Sequence, residues 1–225
     1  TVAWLNATDL PPADYRKLAR FTGLRGLILA PGSRAALGTD WLPGTLAFVL
    51  AHHPHLEELS FCAARLDAHL PRLAPLAALP RLRRLALASQ RPARLALDSL
   101  PALPGLEALQ LSGVALEGAR GLAAHFPSLK IYENDVKAAP GQLAGLAQLE
   151  ALHTPAGADT AQGLLSAMLA GLPALQRLHL TGLPGPAHLA ALPTQLRHLA
   201  LEAEPACAEG GLLALPALPA LQSLD

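Results

Sequence analysis

The chain has 225 residues, enough for one large domain or two small ones with a sizeable hydrophobic core. Its 17 Lys and Arg balance its 17 Asp and Glu, so no net charge attracts a phosphate backbone or an anionic membrane surface. Hydrophobic residues make up 52%, which excludes a disordered chain, and aromatic residues only 4%, which leaves few rings to stack on bases. We therefore expect neither nucleic acid nor a membrane as partner.

Helices are predicted at three places along the chain. The first runs from Pro11 to Arg20, where proline opens the segment and Gly23 follows it, and the others cover Thr45 to Ala51 and Thr160 to Ala170. The stretches Leu70 to Pro80 and Leu97 to Pro104 contain too much proline for long helices, so short turns or 3₁₀ pieces are predicted there. No run of 18 apolar residues escapes a charge or a proline, which argues against a membrane span.

Between these segments one pattern recurs: an apolar residue, two variable residues, an apolar residue, one variable residue and another apolar residue. Clear copies are Leu56 to Phe61, Leu82 to Leu87, Leu106 to Leu111, Leu175 to Leu180 and Leu196 to Leu201. We place further copies at Leu24, Phe126 and Leu149, a truncated copy at Leu221, and the second half of a copy at Ala3 and Leu5. The starts lie about 20 to 32 residues apart, the spacing of a solenoid repeat.

This pattern resembles the leucine-rich repeat family over nearly the whole chain. The resemblance implies an α/β solenoid, a horseshoe with a parallel concave β-sheet and short helices, 3₁₀ turns and loops on the convex side. Residues 1–225 would form a single domain of about nine repeats that belongs to a larger protein, because both ends interrupt a repeat and a solenoid needs polar caps. Additional domains or subunits would then contact the uncapped ends.

One feature departs from the family pattern. The family places asparagine three residues after the third apolar position, and Asn134 is the one match here. We expect irregular turns for that reason. The alternative fold is an α-solenoid, which the Ala and Leu content fits and the regular spacing of the 21 prolines opposes.

In such a sheet the variable residues between the apolar ones point outward and form the wall that binds partners. Small residues fill most of its N-terminal half, whereas larger polar residues fill the C-terminal half. The candidate partner-binding residues are Glu58, Arg84, Gln110, Lys130, Tyr132, His153, Arg177, His179, His198 and Glu202.

A partner segment across the C-terminal half, anchored by Tyr132 and Arg177, is one interpretation of this wall, because aromatic residues and arginine dominate interface energetics. The alternative is a solvated polar face without a partner. His153 and His179 are expected on adjacent strands about 5 Å apart. The sequence places no acidic or thiol side chain beside the pair as a third ligand, so we predict no metal site.

Catalytic signals are weak in this chain. His52, His53 and His55 are explained by the dipole at a helix C-terminus. Cys62 is expected to face outward without an adjacent base, and no Gly-x-Ser-x-Gly elbow or phosphate-binding loop is present. We therefore predict no enzyme activity, no catalytic residue and no cofactor.

The two cysteines, Cys62 and Cys207, would lie about six repeats or roughly 30 Å apart, too far for a disulfide. Two free thiols favour a reducing compartment. The bias towards Ala, Leu, Pro and Arg is typical of high-GC bacterial genomes. The sequence thus predicts a bacterial, cytoplasmic, non-catalytic module that recognises a protein partner of unknown identity. The alternative is a substrate-recognition or sensing arm of a larger enzyme, translocated effector or defence protein.

Overall fold

Ten parallel strands form the centre of the molecule. The computed structural model describes residues 3–8, 10, 12–30, 47–48, 50–63, 66, 73–118, 121–156, 162–183, 192–203 and 216–225. Within them, one sheet has its strands in chain order and every neighbouring pair parallel. The strands are β1 (Trp4–Asn6), β2 (Gly26–Leu29), β3 (Glu58–Ala63), β4 (Arg84–Ala96), β5 (Ala108–Glu117), β6 (Ile131–Asn134), β7 (Ala151–Pro155), β8 (Arg177–Leu183), β9 (His198–Ala203) and β10 (Ser223–Leu224).

The parallel solenoid expected from the repeat is confirmed, and the α-solenoid is wrong. The second apolar residue of each repeat pairs with its counterpart on the next strand, as Leu27 does with Leu59 and Leu59 with Leu85. These side chains are buried, and the residues between them alternate to the opposite face. Leu5 pairs with Leu27, so the half repeat expected at the start of the chain is present as β1.

The helices described between the strands are short, and most of them are 3₁₀ helices. Nine-residue Pro12–Arg20 is a 3₁₀ helix, and residues 47–48 and 50–52 are helical. Shorter 3₁₀ helices at Ala74–Ala78 and Leu97–Ser99 confirm the prediction for the proline-rich stretches. Leu122–Ala124 is a further 3₁₀ helix, Pro140–Leu143 is one α-helical turn, and Gln162–Ala170 is an α-helix where one was predicted.

The sixth repeat begins at Leu129 and not at Phe126. Leu109 pairs with Tyr132 and Leu111 with Asn134, so Leu129, Tyr132 and Asn134 occupy the three positions that we had assigned to Phe126, Leu129 and Ile131. Our register for this repeat was therefore wrong by three residues. Every outward position deduced from it moves as well.

Phe126 instead belongs to a turn that precedes most of the repeats. The backbone N–H of Leu129 donates to the carbonyl of Phe126 at 3.2 Å, just as Leu106 donates to Leu103 and Leu175 to Leu172. In the sequence each of these carbonyl residues is followed by proline, at positions 104, 127 and 173. The Phe126-Pro pair is thus the equivalent of the Leu-Pro pairs before other repeats.

Asn134 is not the family's asparagine. It takes the place of the third apolar residue and is 1% exposed. Its Nδ2 donates to the hydroxyl oxygen of Tyr132 at 2.9 Å and to the carbonyl of Val114 at 3.3 Å, while its Oδ1 accepts from the backbone N–H of Val136 at 2.9 Å. These bonds offset the cost of burying the amide. Our match of Asn134 to the family pattern was therefore wrong.

The described helices include none that is both long and apolar enough to cross a membrane.

Candidate functional site

The wall is the outward face of the sheet, and it carries three lateral rows. The first row contains Trp4, Gly26, Glu58, Arg84, Ala108, Ile131, Ala151, Arg177, His198 and Ser223; the middle row contains Asn6, Ile28, Ser60, Ala86, Gln110, Glu133, His153, His179 and Ala200. Beyond these lie Cys62, Ala88, Ser112, Pro155, Thr181 and Glu202, with Asp135 at the end of β6. Eight of the ten predicted residues stand on this wall.

The other two, Tyr132 and Lys130, do not. Tyr132 was expected to be an outward-facing anchor, but it is 0% exposed, and burial raises the pKa of its phenol despite a hydrogen bond from Asn134. Lys130 precedes β6, where its Nζ lies 3.7 Å from Oε1 of Glu107. Both placements were wrong because the register of this repeat was wrong. Glu133 takes the wall position that sequence reasoning gave to Lys130, and Ile131 lies two residues earlier on the same face.

The N-terminal half of the wall is a hollow with an apolar end. Trp4 is 56% exposed and Ile28 is 40% exposed, although both are large hydrophobic residues. The indole of Trp4 lies directly over Gly26, where a Cβ would stand 2.0 Å from a ring carbon, so only glycine allows this close approach. A cavity of about 480 Å³ extends from Trp4 across the strands to Glu133.

Sequence reasoning missed Trp4, Ile131 and Glu133 as wall residues. The signal for Trp4 was present, because Ala3 and Leu5 already marked a half repeat and Trp4 lies between them. The signal for Ile131 and Glu133 was the Leu-Pro pair that precedes other repeats. Aligning Phe126-Pro with Leu103-Pro would have placed the start of this repeat at Leu129.

The C-terminal half of the wall contains a histidine pair. The rings of His153 and His179 are stacked with centroids 4.1 Å apart and planes inclined by 16°, as their positions on adjacent strands predicted. His179 Nε2 lies 3.1 Å from Oε1 of Glu202, and His198 Nδ1 lies 2.8 Å from Oγ of Ser223. Burial, followed by the charge of His179, lowers the pKa of His153 against the opposing effect of nearby carboxylates. A second cavity of about 250 Å³ lies here, and it shares Ile131 and Glu133 with the first.

An acidic side chain does approach the histidine pair, which the sequence had not indicated, since Glu202 contacts His179. Among the residues that the structure describes, no group of three or more His, Cys, Asp or Glu is arranged to hold a metal ion. Cys62 is half-buried on the wall, and burial raises the pKa of its thiol while a hydrogen bond with Gln90 opposes that effect. A raised pKa keeps the thiol protonated at neutral pH and weakens it as a nucleophile. Cys207 lies outside the described residues.

Ion pairs tie neighbouring strands together along the wall and its lower edge. In the first row, a guanidinium nitrogen of Arg84 lies 3.1 Å from Oε1 of Glu58. Just before the strands begin, a guanidinium nitrogen of Arg83 lies 3.3 Å from Oε1 of Glu107. Arg25 and Glu57 repeat the second arrangement at 3.8 Å. Such exposed pairs contribute little stability individually.

His53 is a core residue and not a surface histidine. It is 2% exposed, and its carbonyl accepts from Leu56 in the same turn that Leu79 and Leu103 form before later repeats. Burial, followed by the positive charge of His52, lowers the pKa of His53, while the backbone of Leu18 opposes this shift. His52 itself bonds the carbonyl of Phe48 through Nδ1 at 2.8 Å, which fits the helix-terminus interpretation for that residue.

This burial predicts a pH dependence of stability. Because the folded state holds His53 neutral, the unfolded chain binds more protons below pH 6.5, and stability that is complete above that pH falls as the solution becomes more acidic. Replacing His53 with leucine, the residue at equivalent positions, should raise the melting temperature more at pH 5 than at pH 8. Thermal unfolding at both values measures this, with the exposed His55→Gln as control. An equal gain at both pH values would contradict the prediction.

Comparisons with known proteins find relatives by structure alone. No protein-family model matches the chain, and no curated protein sequence matches it. A crystal structure of Listeria monocytogenes InlP matches with a TM-score of 0.51 and 17% identity over 96% of this chain and 57% of that chain. The TLR13-ssRNA13 complex matches with a TM-score of 0.56 and 16% identity over 100% and 35%, and the mouse RP105/MD-1 complex with a TM-score of 0.50 and 20% identity over 82% and 30%.

These likenesses show that the chain has a divergent leucine-rich repeat fold. The chain spans little more than half the length of InlP and about a third of the other two. One of these structures contains single-stranded RNA, so the expectation that this chain binds no nucleic acid has no support from the comparisons.

Proposed function

We propose that the chain is a non-catalytic recognition module that binds a protein partner on the wall. The observation that carries this proposal is the groove itself: two cavities of about 480 and 250 Å³ that adjoin at Ile131 and Glu133 and together extend from Trp4 to His198. A groove that crosses the strands gives a partner access to side chains from many repeats.

The groove has the composition of a binding surface. Exposed Trp4 and Ile28 supply apolar anchors at one end, and Arg177 supplies a guanidinium near the other. Tryptophan and arginine are enriched among residues that dominate binding energy. Small side chains between them, such as Ala86, Ala108 and Ala151, leave room for the partner's own side chains. One structural neighbour, the mouse RP105/MD-1 complex, is a protein complex, which supports this interpretation.

Arginine and tryptophan truncations on the wall test the proposal. Trp4→Ala and Arg177→Ala should each weaken binding about 30-fold, which corresponds to about 2 kcal/mol, because each removes an anchor from the groove. Partner proteins captured from the source cell's lysate and identified by mass spectrometry supply the ligand, whose affinity is then measured by calorimetry. The matched controls are Phe21→Ala and Arg16→Ala, since both residues are exposed but lie outside the sheet.

The controls should bind as the unaltered chain does. Loss of affinity in Phe21→Ala or Arg16→Ala, with none in the two wall variants, would place the binding surface outside the groove. Glu58, Arg84, Gln110, His153, His179, His198 and Glu202 remain predicted contacts for the same measurement.

A further inference from the structure

The charges on the wall are not all satisfied within the molecule. Glu58 pairs with Arg84, Glu202 contacts His179, and Asp135 accepts from the hydroxyl of Ser112 and the backbone N–H of Gly113, both at 2.7 Å. Among the Asp, Glu, Lys and Arg side chains of the wall from β2 to β9, two form neither a hydrogen bond nor an ion pair with any residue that the structure describes. These are Glu133 on β6 and Arg177 on β8.

Glu133 lies at the junction of the two cavities. It is half-buried and lines both cavities, together with Ile131 two residues earlier on the same face. Its neighbours in the middle row are Gln110 and His153. Burial and the charge of His179 lower the pKa of His153 below its ordinary value although Glu133 raises it, so at pH 7 the imidazole is mostly neutral and balances little of the charge on Glu133. A half-buried carboxylate without a counter-ion favours a cation supplied from outside.

Arg177 offers the opposite charge two strands away. It is exposed, and its neighbours in the first row are Ala151 and His198. At about 4.8 Å per strand, with a further two residues along the strand, the positions of Glu133 and Arg177 lie roughly 12 Å apart. An extended peptide covers that distance in about three or four residues, at about 3.3 Å per residue.

From this pattern we infer the partner's chemistry: an extended segment that places a lysine or arginine against Glu133 and an aspartate or glutamate against Arg177, about three or four residues apart. Ile131 offers an apolar surface to the aliphatic part of the basic side chain. Arg177 accommodates a carboxylate through two parallel hydrogen bonds. The inference rests on the proposed function, since it names the kind of segment that the wall binds.

Selection from a display library of random 12-residue peptides on the immobilised full chain tests this pairing. Enriched peptides should carry one basic and one acidic residue three or four positions apart. A synthetic peptide from that set should bind Glu133→Gln and Arg177→Gln at least about 10-fold more weakly than the unaltered chain. Asp98→Asn and Arg16→Gln, which change exposed charges in 3₁₀ helices outside the sheet, should leave its affinity unchanged.

Charge exchange gives the sharper result. Replacing the peptide's basic residue with glutamate should abolish its binding to the unaltered chain. The same glutamate peptide should bind the Glu133→Lys variant at least about 10-fold more tightly than it binds the unaltered chain. This double-mutant cycle isolates the pairwise contact. Circular dichroism of each variant confirms that it is folded.

The other outcomes separate the two proposals. Enriched peptides that lose affinity with Trp4→Ala but not with Glu133→Gln would overturn the inference and leave the binding wall intact. Peptides insensitive to every wall substitution would overturn both. An absence of enrichment would overturn the inference, while the proposed function would then depend on the lysate-derived partner.

Discussion

Replacing Tyr132 with alanine is expected to lower the free energy of unfolding by about 3–5 kcal/mol, the range for removing a large buried aromatic side chain. Tyr132 is among the largest fully buried side chains and fills the second apolar position of the sixth repeat. Its loss would leave a cavity next to Asn134, whose Nδ2 donates to the phenol oxygen. Chemical denaturation monitored by circular dichroism measures the change.

Two further substitutions make this result diagnostic of register. Tyr132→Phe removes the hydroxyl alone and should cost about 1 kcal/mol, since Nδ2 of Asn134 keeps the carbonyl of Val114. Lys130→Ala removes an exposed ion pair and should cost about 0–1 kcal/mol. If Tyr132→Ala proved as mild as Lys130→Ala, the repeat would begin at Phe126 and Tyr132 would face outward.

Replacing Gly113 with alanine is the second change with a large expected effect. Gly113 has a φ of 65°, in the left-handed region where a side chain costs about 1–3 kcal/mol. An added Cβ would also lie 2.5 Å from the carbonyl oxygen of Ser89, a backbone atom that cannot move aside alone. We therefore expect a loss of at least about 2 kcal/mol, with denaturant unfolding as the measurement.

Gly141 is the matched control for this substitution. It lies in the short helix Pro140–Leu143, and a Cβ added there meets nothing within 4 Å. Gly141→Ala should be neutral or slightly stabilising, because alanine loses less backbone entropy than glycine. Equal effects at the two positions would show that β5 does not require a glycine at position 113.

The fold was predictable because its cause is periodic. The pattern that starts at Leu56, Leu82 and Leu106 recurs along the chain, and stacked parallel strands bury its apolar residues. This signal does not depend on any single residue. The short 3₁₀ connections followed in the same way from proline. Local exceptions were not predictable from the template, because Tyr132 and Asn134 fit it less well than Leu129 and Ile131.

Polar pairing explains that exception. Asn134 is stable in the core only because Tyr132, Val114 and Val136 satisfy its amide, and such three-dimensional complementarity is invisible to a count of apolar positions. In the candidate site, too, features set by strand register were predictable, whereas features set by side-chain pairing were not. His153 and His179 were placed together from strand register alone, whereas the free charge of Glu133 depends on which neighbours pair with one another.

The measurement that most directly tests the central claim is photo-crosslinking in the source cell. A benzoylphenylalanine introduced at Gln110, in the middle of the groove, is compared with one at Ala77, an exposed residue in the 3₁₀ connection before β4. The account predicts a crosslinked protein partner from position 110 and none from position 77. A partner crosslinked from position 77 but not from position 110 would contradict recognition on the wall.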